Sequence, residues 1–243
     1  MRKYRSRRYK KSYNIKFLWL GILFLVSLGA LFYAVFLSSF FQIKEIRISG
    51  NEKVLTEEIA GFFGAGNILF FDADETSRII LEKFQKIANL NIKKELPDIL
   101  IVQIEERKPV AVFFKDENHF FIDREGVIFE KISEVSEDAL IIKGDEKFVQ
   151  KEMIEKILKI NSKLKNDFGI PFEEILIVSE RRLNVKTLEG WEIYFNPEGD
   201  LDWQLEELAI LLKEKIPLEK RGNLEYIDLR FEKIYIFPET YQQ

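Results

Sequence analysis

The residue types that most often carry catalysis are scarce in this chain. His119 is the only histidine and cysteine is absent, which excludes a thiolate nucleophile, a redox pair of thiols and a cysteine-based zinc cluster. His119 stands beside Phe120 and Phe121 in a segment that alternates like a β-strand, and this setting favours a structural role. General acid–base chemistry would therefore have to come from carboxylates.

Two pairs of carboxylates are the remaining candidates for a reactive site. Asp72 and Asp74 flank a predicted helix start, but a capping role explains Asp72 without a metal ion. Glu105 and Glu106 are neighbours on a predicted strand, so their side chains point to opposite faces of the sheet. Three nearby glycines lack the Gly-Lys-Ser/Thr of a phosphate-binding loop and are expected in turns: Gly61, Gly64 and Gly66. We predict no catalytic, metal or cofactor site, no small-molecule substrate and no enzyme activity.

The N-terminal segment has the charge pattern of a membrane anchor. The first 16 residues carry eight basic side chains and no acid, and no charged residue occurs from Phe17 to Ile43. As a helix, that uncharged run would reach about 40 Å, beyond the roughly 30 Å of a bilayer's hydrocarbon. Since basic flanks stay in the cytoplasm, we predict a cytoplasmic head over 1–16, a transmembrane helix over 17–43 and an extracytoplasmic remainder.

Two alternative interpretations of this segment, a cleaved secretory signal peptide and a twin-arginine signal, fit its residues less well. Secretory signal peptides have an apolar stretch of about 7 to 15 residues and small residues at the cleavage site, whereas bulky side chains precede Lys44 here. Ser6-Arg7-Arg8 is similar to a twin-arginine signal, but two lysines stand where apolar residues are expected: Lys10 and Lys11. An uncleaved anchor is the interpretation that fits.

The part beyond the predicted helix is acidic. Without the eight basic residues of the head, 29 of the 37 Lys+Arg remain against 41 Asp+Glu, a net charge of −12. Nucleic-acid binding needs clustered positive charge, so we exclude nucleic acid as a partner.

Hydrophobic periodicity predicts a first small domain of strand, helix, helix, strand and strand over about 43–110. The first strand ends at Gly50-Asn51, and Thr56 is expected to cap a short helix that follows. Asp72, with Glu75 three residues later, predicts the start of the second helix. Two alternating segments then meet at Pro97-Asp98, which indicates a hairpin.

A second, strand-rich α+β domain is predicted over about 111–238, with a short tail over 239–243. Its predicted helices are Lys151 to Phe168 and Leu201 to about Ile216, and its last two strands are Tyr226 to Phe231 and Ile234 to Phe237. An edge strand offers its backbone to another chain, so the region near the C-terminus is the candidate partner-binding site. Its residues are Arg230, Phe231, Glu232, Lys233, Ile234, Tyr235 and Ile236. The alternative is that Ile234 and Ile236 pack into the domain's own core, and both can be true of opposite faces.

Several stretches, in this order, resemble the bacterial division proteins of the FtsQ/DivIB family. Ile43–Asn51 is similar to the family's strand after its anchor, and Gly66–Phe70 to the link between its two helices. Pro97–Ala111 resembles the hairpin that ends in Glu-Arg-x-Pro, and Phe121–Phe129 resembles the Asp-x-x-Gly turn that follows. Tyr226–Phe231 resembles the family's Ile-Asp-Leu-Arg-Tyr/Phe strand, with Phe231 where family members often have Tyr.

The resemblance implies a POTRA domain over about 43–110, a β domain over 111–238 and a scaffolding role without catalysis. It implies FtsB-like and FtsL-like partners, with FtsB contacts at the last strands, here Asp228 to Phe231 and Lys233 to Ile236. It further implies a bacterial inner-membrane protein of the division septum that helps coordinate septal peptidoglycan synthesis. The alternative is a POTRA-type interaction module of an envelope secretion or assembly system, in which we expect a long membrane barrel to follow.

Overall fold

The computed structural model describes residues 15–238, which divide into two compact units, one up to Glu106 and the other from Arg107 onward. The predicted basic head lies outside the described residues except for its last two, and the predicted tail lies wholly outside them. Helix α1 spans Ile15–Phe32 and continues as a π-helical turn, Tyr33–Leu37. Together they form one apolar span of 23 residues with a mean hydropathy of 2.5 and no buried residue, long enough to cross a membrane.

The apolar span ends six residues before the end of the predicted transmembrane helix. Ser38 has an extended backbone and its side chain accepts a hydrogen bond from the Phe40 N–H, which begins a 3₁₀ turn over Ser39–Phe41. Phe41 and Ile43 are uncharged like the helix, but they pack against the core of the first unit. The run of uncharged residues therefore extends beyond the end of the helix.

The rest of the first unit confirms the predicted order of strand, helix, helix, strand and strand. Its elements are β1 (Glu45–Ser49), α2 (Thr56–Ala60), α3 (Ala73–Lys83), β2 (Ile87–Glu95) and β3 (Ile99–Glu106). The sheet order is β1-β3-β2, with β1 parallel and β2 antiparallel to β3. The Asp72 carboxylate caps α3 by accepting from the Glu75 N–H at 3.0 Å, as predicted. Thr56 does not cap α2, because it is the helix's first residue and Leu55 precedes it.

The turn between β1 and α2 is fixed by hydrogen bonds to Glu106, the last residue of β3. The Glu106 carboxylate accepts N–H groups of Glu52, Lys53 and Val54 at 2.8 to 3.0 Å. Burial opposes ionisation of Glu106, but these three backbone donors outweigh it and lower its pKa. Gly50 precedes the turn at φ 86°, and a Cβ there would lie 2.1 Å from the Ile104 carbonyl oxygen, so only glycine fits.

The second unit is built on one nine-stranded sheet whose order is β12-β11-β10-β9-β8-β7-β4-β5-β6. The strands are β4 (Ala111–Lys115), β5 (Asn118–Ile122), β6 (Ile128–Ile132), β7 (Ile141–Gly144), β8 (Phe172–Ser179), β9 (Arg182–Thr187), β10 (Glu192–Phe195), β11 (Tyr226–Asp228) and β12 (Tyr235–Phe237). Two helices pack on it, α4 (Lys151–Ser162) and α5 (Leu201–Glu214). The arrangement is the predicted strand-rich α+β fold.

Both helices cover the same face of the sheet. Side chains that are neighbours in register, Val185, Ile193, Ile227 and Ile236, are all buried in one core cluster. The same cluster contains the apolar faces of α4 and α5. Because successive strand residues alternate between faces, the intervening side chains of β9 to β12 lie on the opposite, uncovered face.

We expect Glu106→Gln to loosen the turn over residues 52–54. A neutral amide accepts more weakly than a carboxylate and turns an NH₂ group toward backbone donors, at a cost of about 1 to 3 kcal/mol. Hydrogen exchange of the full-length chain should show protection of these amides falling by about tenfold or more. Glu105→Gln, the same change one residue earlier at an exposed position, is the matched control.

The hydrogen bonds between Glu106 and residues 52–54 should depend on pH. Since the folded-state pKa of Glu106 is lowered, its stabilisation is complete above the ordinary glutamate pKa and is lost as the pH falls through the lowered value. Protection of residues 52–54, corrected for intrinsic exchange, should decline over that acidic window in the unaltered chain and stay flat in Glu106→Gln. Equal decline in both proteins would contradict this role for Glu106.

Candidate partner-binding edge

Strand β12 is a terminal strand of the nine-stranded sheet and has β11 as its sheet neighbour. It runs antiparallel to β11, with Ile236 opposite Ile227 and Tyr235 opposite Asp228. Ile236 is 4% exposed and faces the helices, whereas Tyr235 and Phe237 are 42% and 40% exposed on the other face. The edge therefore combines a buried anchor with two accessible aromatic side chains.

The segment that leads into β12 differs from the prediction. The predicted strands Tyr226–Phe231 and Ile234–Phe237 are shorter in the structure, because β11 ends at Asp228 and β12 begins at Tyr235. The Asp228 carboxylate accepts the Arg230 backbone N–H at 3.1 Å, which turns the chain just after β11. Residues 229–234 therefore form a turn rather than a continuation of two strands.

The seven predicted partner-binding residues fall into two groups. Five of them, 230–234, lie in the turn, and Tyr235 and Ile236 lie in β12. Phe231 is 53% exposed and its ring meets that of Tyr235 edge-on, with 6.0 Å between centroids. Glu232 and Lys233 are exposed, whereas Arg230 and Ile234 are half-buried and Ile236 is buried. The structure thus brings the predicted residues together but presents only some of them to solvent.

Arg230 is held in place by Asp228. The guanidinium donates to the two carboxylate oxygens at 2.8 and 2.6 Å in a forked pair, and the pair is largely shielded, with side-chain exposures of 23% and 8%. The hydrogen bonds from Arg230 to Asp228 raise the pKa of the guanidinium, so it is charged at every physiological pH. The same guanidinium lies over the rings of Tyr194 and Phe231, at 5.6 and 5.2 Å from their centroids.

Sequence reasoning missed a row of aromatic rings on the uncovered face. The Tyr226 ring stacks between Tyr194 and Phe237, at centroid distances of 5.2 and 5.6 Å. The Arg182 guanidinium lies 4.6 Å from the centroid of Tyr194. The three rings come from β10, β11 and β12, so the row exists only through strand pairing and has no signature in local sequence. It forms a rigid aromatic surface that reaches the sheet edge.

A groove lies on the other side of the edge, between α5 and the turn. Its volume is about 440 Å³. The apolar lining comes from Ile210 and Leu211 on α5 and from Ile234 and Ile236, while the charged lining residues are Glu207, Glu214, Lys215, Glu232 and Lys233. Ile210 is 51% exposed, so the groove presents apolar surface to solvent. This shape suits an apolar side chain of a docked segment more than a polar small molecule.

The carboxylates and His119 form no reactive cluster. Among residues 15–238, no group of three or more His, Cys, Asp or Glu side chains is placed to bind a metal ion. The His119 ring lies 5.0 Å from that of Phe114 on the neighbouring strand, half-buried in a packing contact. Glu106 is occupied by backbone donors and Asp72 by its helix cap. A structural contact thus accounts for three of the candidate groups, Asp72, Glu106 and His119.

Family comparisons match both units. A model of the POTRA domain, FtsQ-type, matches residues 41–107, and a model of the cell division protein FtsQ/DivIB C-terminal domain matches residues 111–230. The chain belongs to the FtsQ/DivIB family. The resemblance seen in the sequence motifs is therefore confirmed, and with it the α+β fold of an apolar helix, a POTRA domain and a strand-rich domain.

Named relatives agree with this assignment. Cell division protein DivIB of Clostridium botulinum strain Hall is 27% identical over 82% of this chain and 82% of its own length. Cell division protein FtsQ of Chloroflexus aurantiacus is 25% identical over 86% of this chain and 78% of its own. The solved extracytoplasmic domain of Geobacillus stearothermophilus DivIB is 19% identical, covers 45% of this chain and 95% of that one, and superposes with a TM-score of 0.33.

Membership in the FtsQ/DivIB family supports a role in the bacterial division complex. The family is a cell-division scaffold and is not known as an enzyme, and scaffolding implies protein partners. Together with the apolar helix of residues 15–37, this supports a membrane-anchored division protein.

We expect Asp228→Asn to destabilise the second unit by about 1 to 3 kcal/mol, because it leaves the shielded Arg230 charge without its carboxylate. The melting temperature of the full-length chain in detergent should fall by several degrees. In Asp202→Asn, the surface carboxylate that pairs with Lys159 is removed, and the melting temperature should stay almost unchanged. Equal effects of the two changes would contradict a structural role for the Asp228–Arg230 pair.

Proposed function

We propose that this chain is a non-catalytic, single-pass scaffold of the divisome that binds FtsB-like and FtsL-like proteins and helps coordinate septal peptidoglycan synthesis. The proposed organisation is a cytoplasmic head (1–16), a membrane-spanning segment within 17–43, a POTRA domain (43–110) and a β domain (111–238), followed by a short tail (239–243). Its proposed location is the inner membrane at the division septum.

The charge distribution supports this topology. Eight basic side chains lie in the first 16 residues, and the chain beyond Leu37 has a net charge of −12. Basic flanks are retained on the cytoplasmic side, so the N-terminus lies inside and the POTRA and β domains lie outside. In that compartment the two units can reach the extracytoplasmic parts of other division proteins.

The observation that carries the partner-binding proposal is the terminal position of β12 with Tyr235 and Phe237 exposed on it. An extended segment of an FtsB-like partner would lie along this strand and continue the sheet, with backbone pairing as the source of affinity. Selectivity would come from side chains, since alternate residues of the segment meet the two faces of the edge.

The two faces of the edge offer different contacts to such a segment. On the uncovered face, the exposed rings of Phe231, Tyr235 and Phe237 supply large apolar area at low cost in conformational entropy. On the helix-covered face, the groove between α5 and Ile234 receives an apolar side chain of the partner. A partner segment with apolar side chains on both of its faces can contact the aromatic rings and fill the groove at the same time.

We expect the double substitution Phe231→Ala/Tyr235→Ala to weaken binding of an FtsB-like partner to the full-length chain. Loss of two central aromatic contacts typically costs about 2 kcal/mol or more, which corresponds to a dissociation constant raised about 30-fold. Fluorescence anisotropy with a labelled partner in detergent measures this change.

The matched control is Leu176→Ala/Val178→Ala. These β8 side chains are 37% and 43% exposed on the same uncovered face but lie away from the edge. Binding of the control should equal that of the unaltered chain. A folded edge variant that binds with unchanged affinity, or a control that loses as much, would contradict the proposed site.

A further inference from the structure

The apolar helix is joined to the POTRA fold by backbone pairing rather than by a free linker. The Ile68 N–H donates to the Phe41 carbonyl at 2.8 Å, and the Ile43 N–H donates to the Gly66 carbonyl at 2.9 Å. Gln42 forms a β-bridge with Asn67 between these two bonds. The chain that leaves the helix is therefore fixed to the loop between α2 and α3.

The same loop also contacts the helix directly. The Asn67 side chain donates to the Val35 carbonyl at 2.6 Å, and the Phe70 ring stacks on Phe36 with 5.1 Å between centroids. Val35 and Phe36 belong to the last turn of the apolar span. Phe70 therefore lies at the same level as the end of that span.

Exposed apolar side chains cluster at this end of the POTRA domain. We name Leu69, Phe70 and Leu96 the apolar tip; their exposed fractions are 36%, 60% and 58%. The Lys94 ammonium lies 3.5 Å from the Leu69 carbonyl, which places the end of β2 beside the loop. The N–H of Lys44 donates to the Asp98 carbonyl, so the β2–β3 turn that holds Leu96 also lies next to the start of β1.

The length of the helix sets the depth of the apolar tip. The span Ile15–Leu37 has 23 residues. At 1.5 Å per residue it reaches about 34 Å, so its two ends lie close to the boundaries of the roughly 30 Å hydrocarbon layer. Four exposed aromatic side chains form a belt near its second end, Phe32, Tyr33, Phe36 and Phe40. Tyrosine is one of the two residue types enriched at the membrane interface. Phe70, stacked on this belt, shares its depth.

We propose that the apolar tip inserts into the interfacial layer of the outer leaflet, so that the POTRA domain makes a second contact with lipid beside the helix. This inference rests on the proposed membrane anchoring. The contact limits tilt of the POTRA domain relative to the membrane plane, because the helix and a separate inserted tip touch the bilayer at two points. The interaction is apolar, and it grows with the apolar area that enters the interface.

The test uses the absence of cysteine from the chain, which allows a single reactive site to be introduced anywhere. Full-length variants Phe70→Cys and Leu96→Cys, each labelled with an environment-sensitive nitrobenzoxadiazole dye, are reconstituted in vesicles of phosphatidylethanolamine and phosphatidylglycerol. Lipids with a nitroxide on the upper acyl chain then quench any dye that reaches the interface.

Two further labels are the controls. Leu55→Cys carries the dye at a side chain as exposed as Phe70, 60%. It lies at the other end of the POTRA sheet, because Val54 bonds to Glu106 at the end of β3, about 23 Å along that strand from Ile99. Leu25→Cys places the dye in the middle of the apolar helix and reports on anchoring itself, with a parallel set of lipids that carry the nitroxide near the end of the acyl chain as its quencher.

We expect quenching at positions 70 and 96 to be several-fold greater than at 55 and to come with a blue-shifted emission. Quenching at 25 but not at 70 or 96 would overturn the proposal and leave the anchor intact. No quenching at 25 would overturn the anchor and the proposal together. Equal quenching at 55 would overturn the proposal by showing that lipid contact is not confined to the apolar tip.

Discussion

The partner-binding account depends on one buried contact at the end of a sheet. Strand β12 pairs with β11 over three residues only, so backbone pairing alone holds it weakly. Ile236, 4% exposed, packs into the core that α4 and α5 share, and burial of such a side chain contributes about 2 kcal/mol. Because strand residues alternate, fixing Ile236 inward places Tyr235 and Phe237 outward. The accessible edge exists because its middle residue is buried.

A second constraint lies in the first unit, where the apolar helix joins the POTRA domain. The pairing of residues 41–43 with 66–68 leaves no flexible linker between the apolar helix and the POTRA domain. The helix end, the Asn67 side chain and the Phe70 ring therefore move as one unit. For a scaffold this matters, since a domain held at a defined height and rotation above the membrane offers its surfaces to partners at lower entropic cost.

Local signals in the sequence were sufficient to predict most of the fold. The Asp72 cap, the hairpin through Pro97 and the amphipathic faces of α4 and α5 each depend on residues close together in the chain. Strand β7 was missed because Ile141–Gly144 is a short apolar run between two polar segments, and it becomes a strand only by parallel pairing with β4 and β8.

The terminal strand that holds the candidate partner-binding residues was predicted, but its exact bounds and contacts were not. Its position near the C-terminus followed from the last alternating segments, yet alternation could not show that Asp228 would bind the Arg230 N–H and bend the chain. The aromatic row of Tyr194, Tyr226 and Phe237 depends on the register of three strands, which no local pattern encodes. The end of the apolar helix was likewise set by packing of Phe41 and Ile43 rather than by charge.

The most direct test of the account is site-specific photo-crosslinking in dividing cells that express the full-length chain. A photoreactive residue at Tyr235 or Phe231 should crosslink to the FtsB-like division protein, whereas the same residue at Val178 on β8 should not. Efficient crosslinking to that protein from Val178 and none from Tyr235 or Phe231 would contradict the claim that this scaffold binds its partner at the C-terminal edge of its sheet.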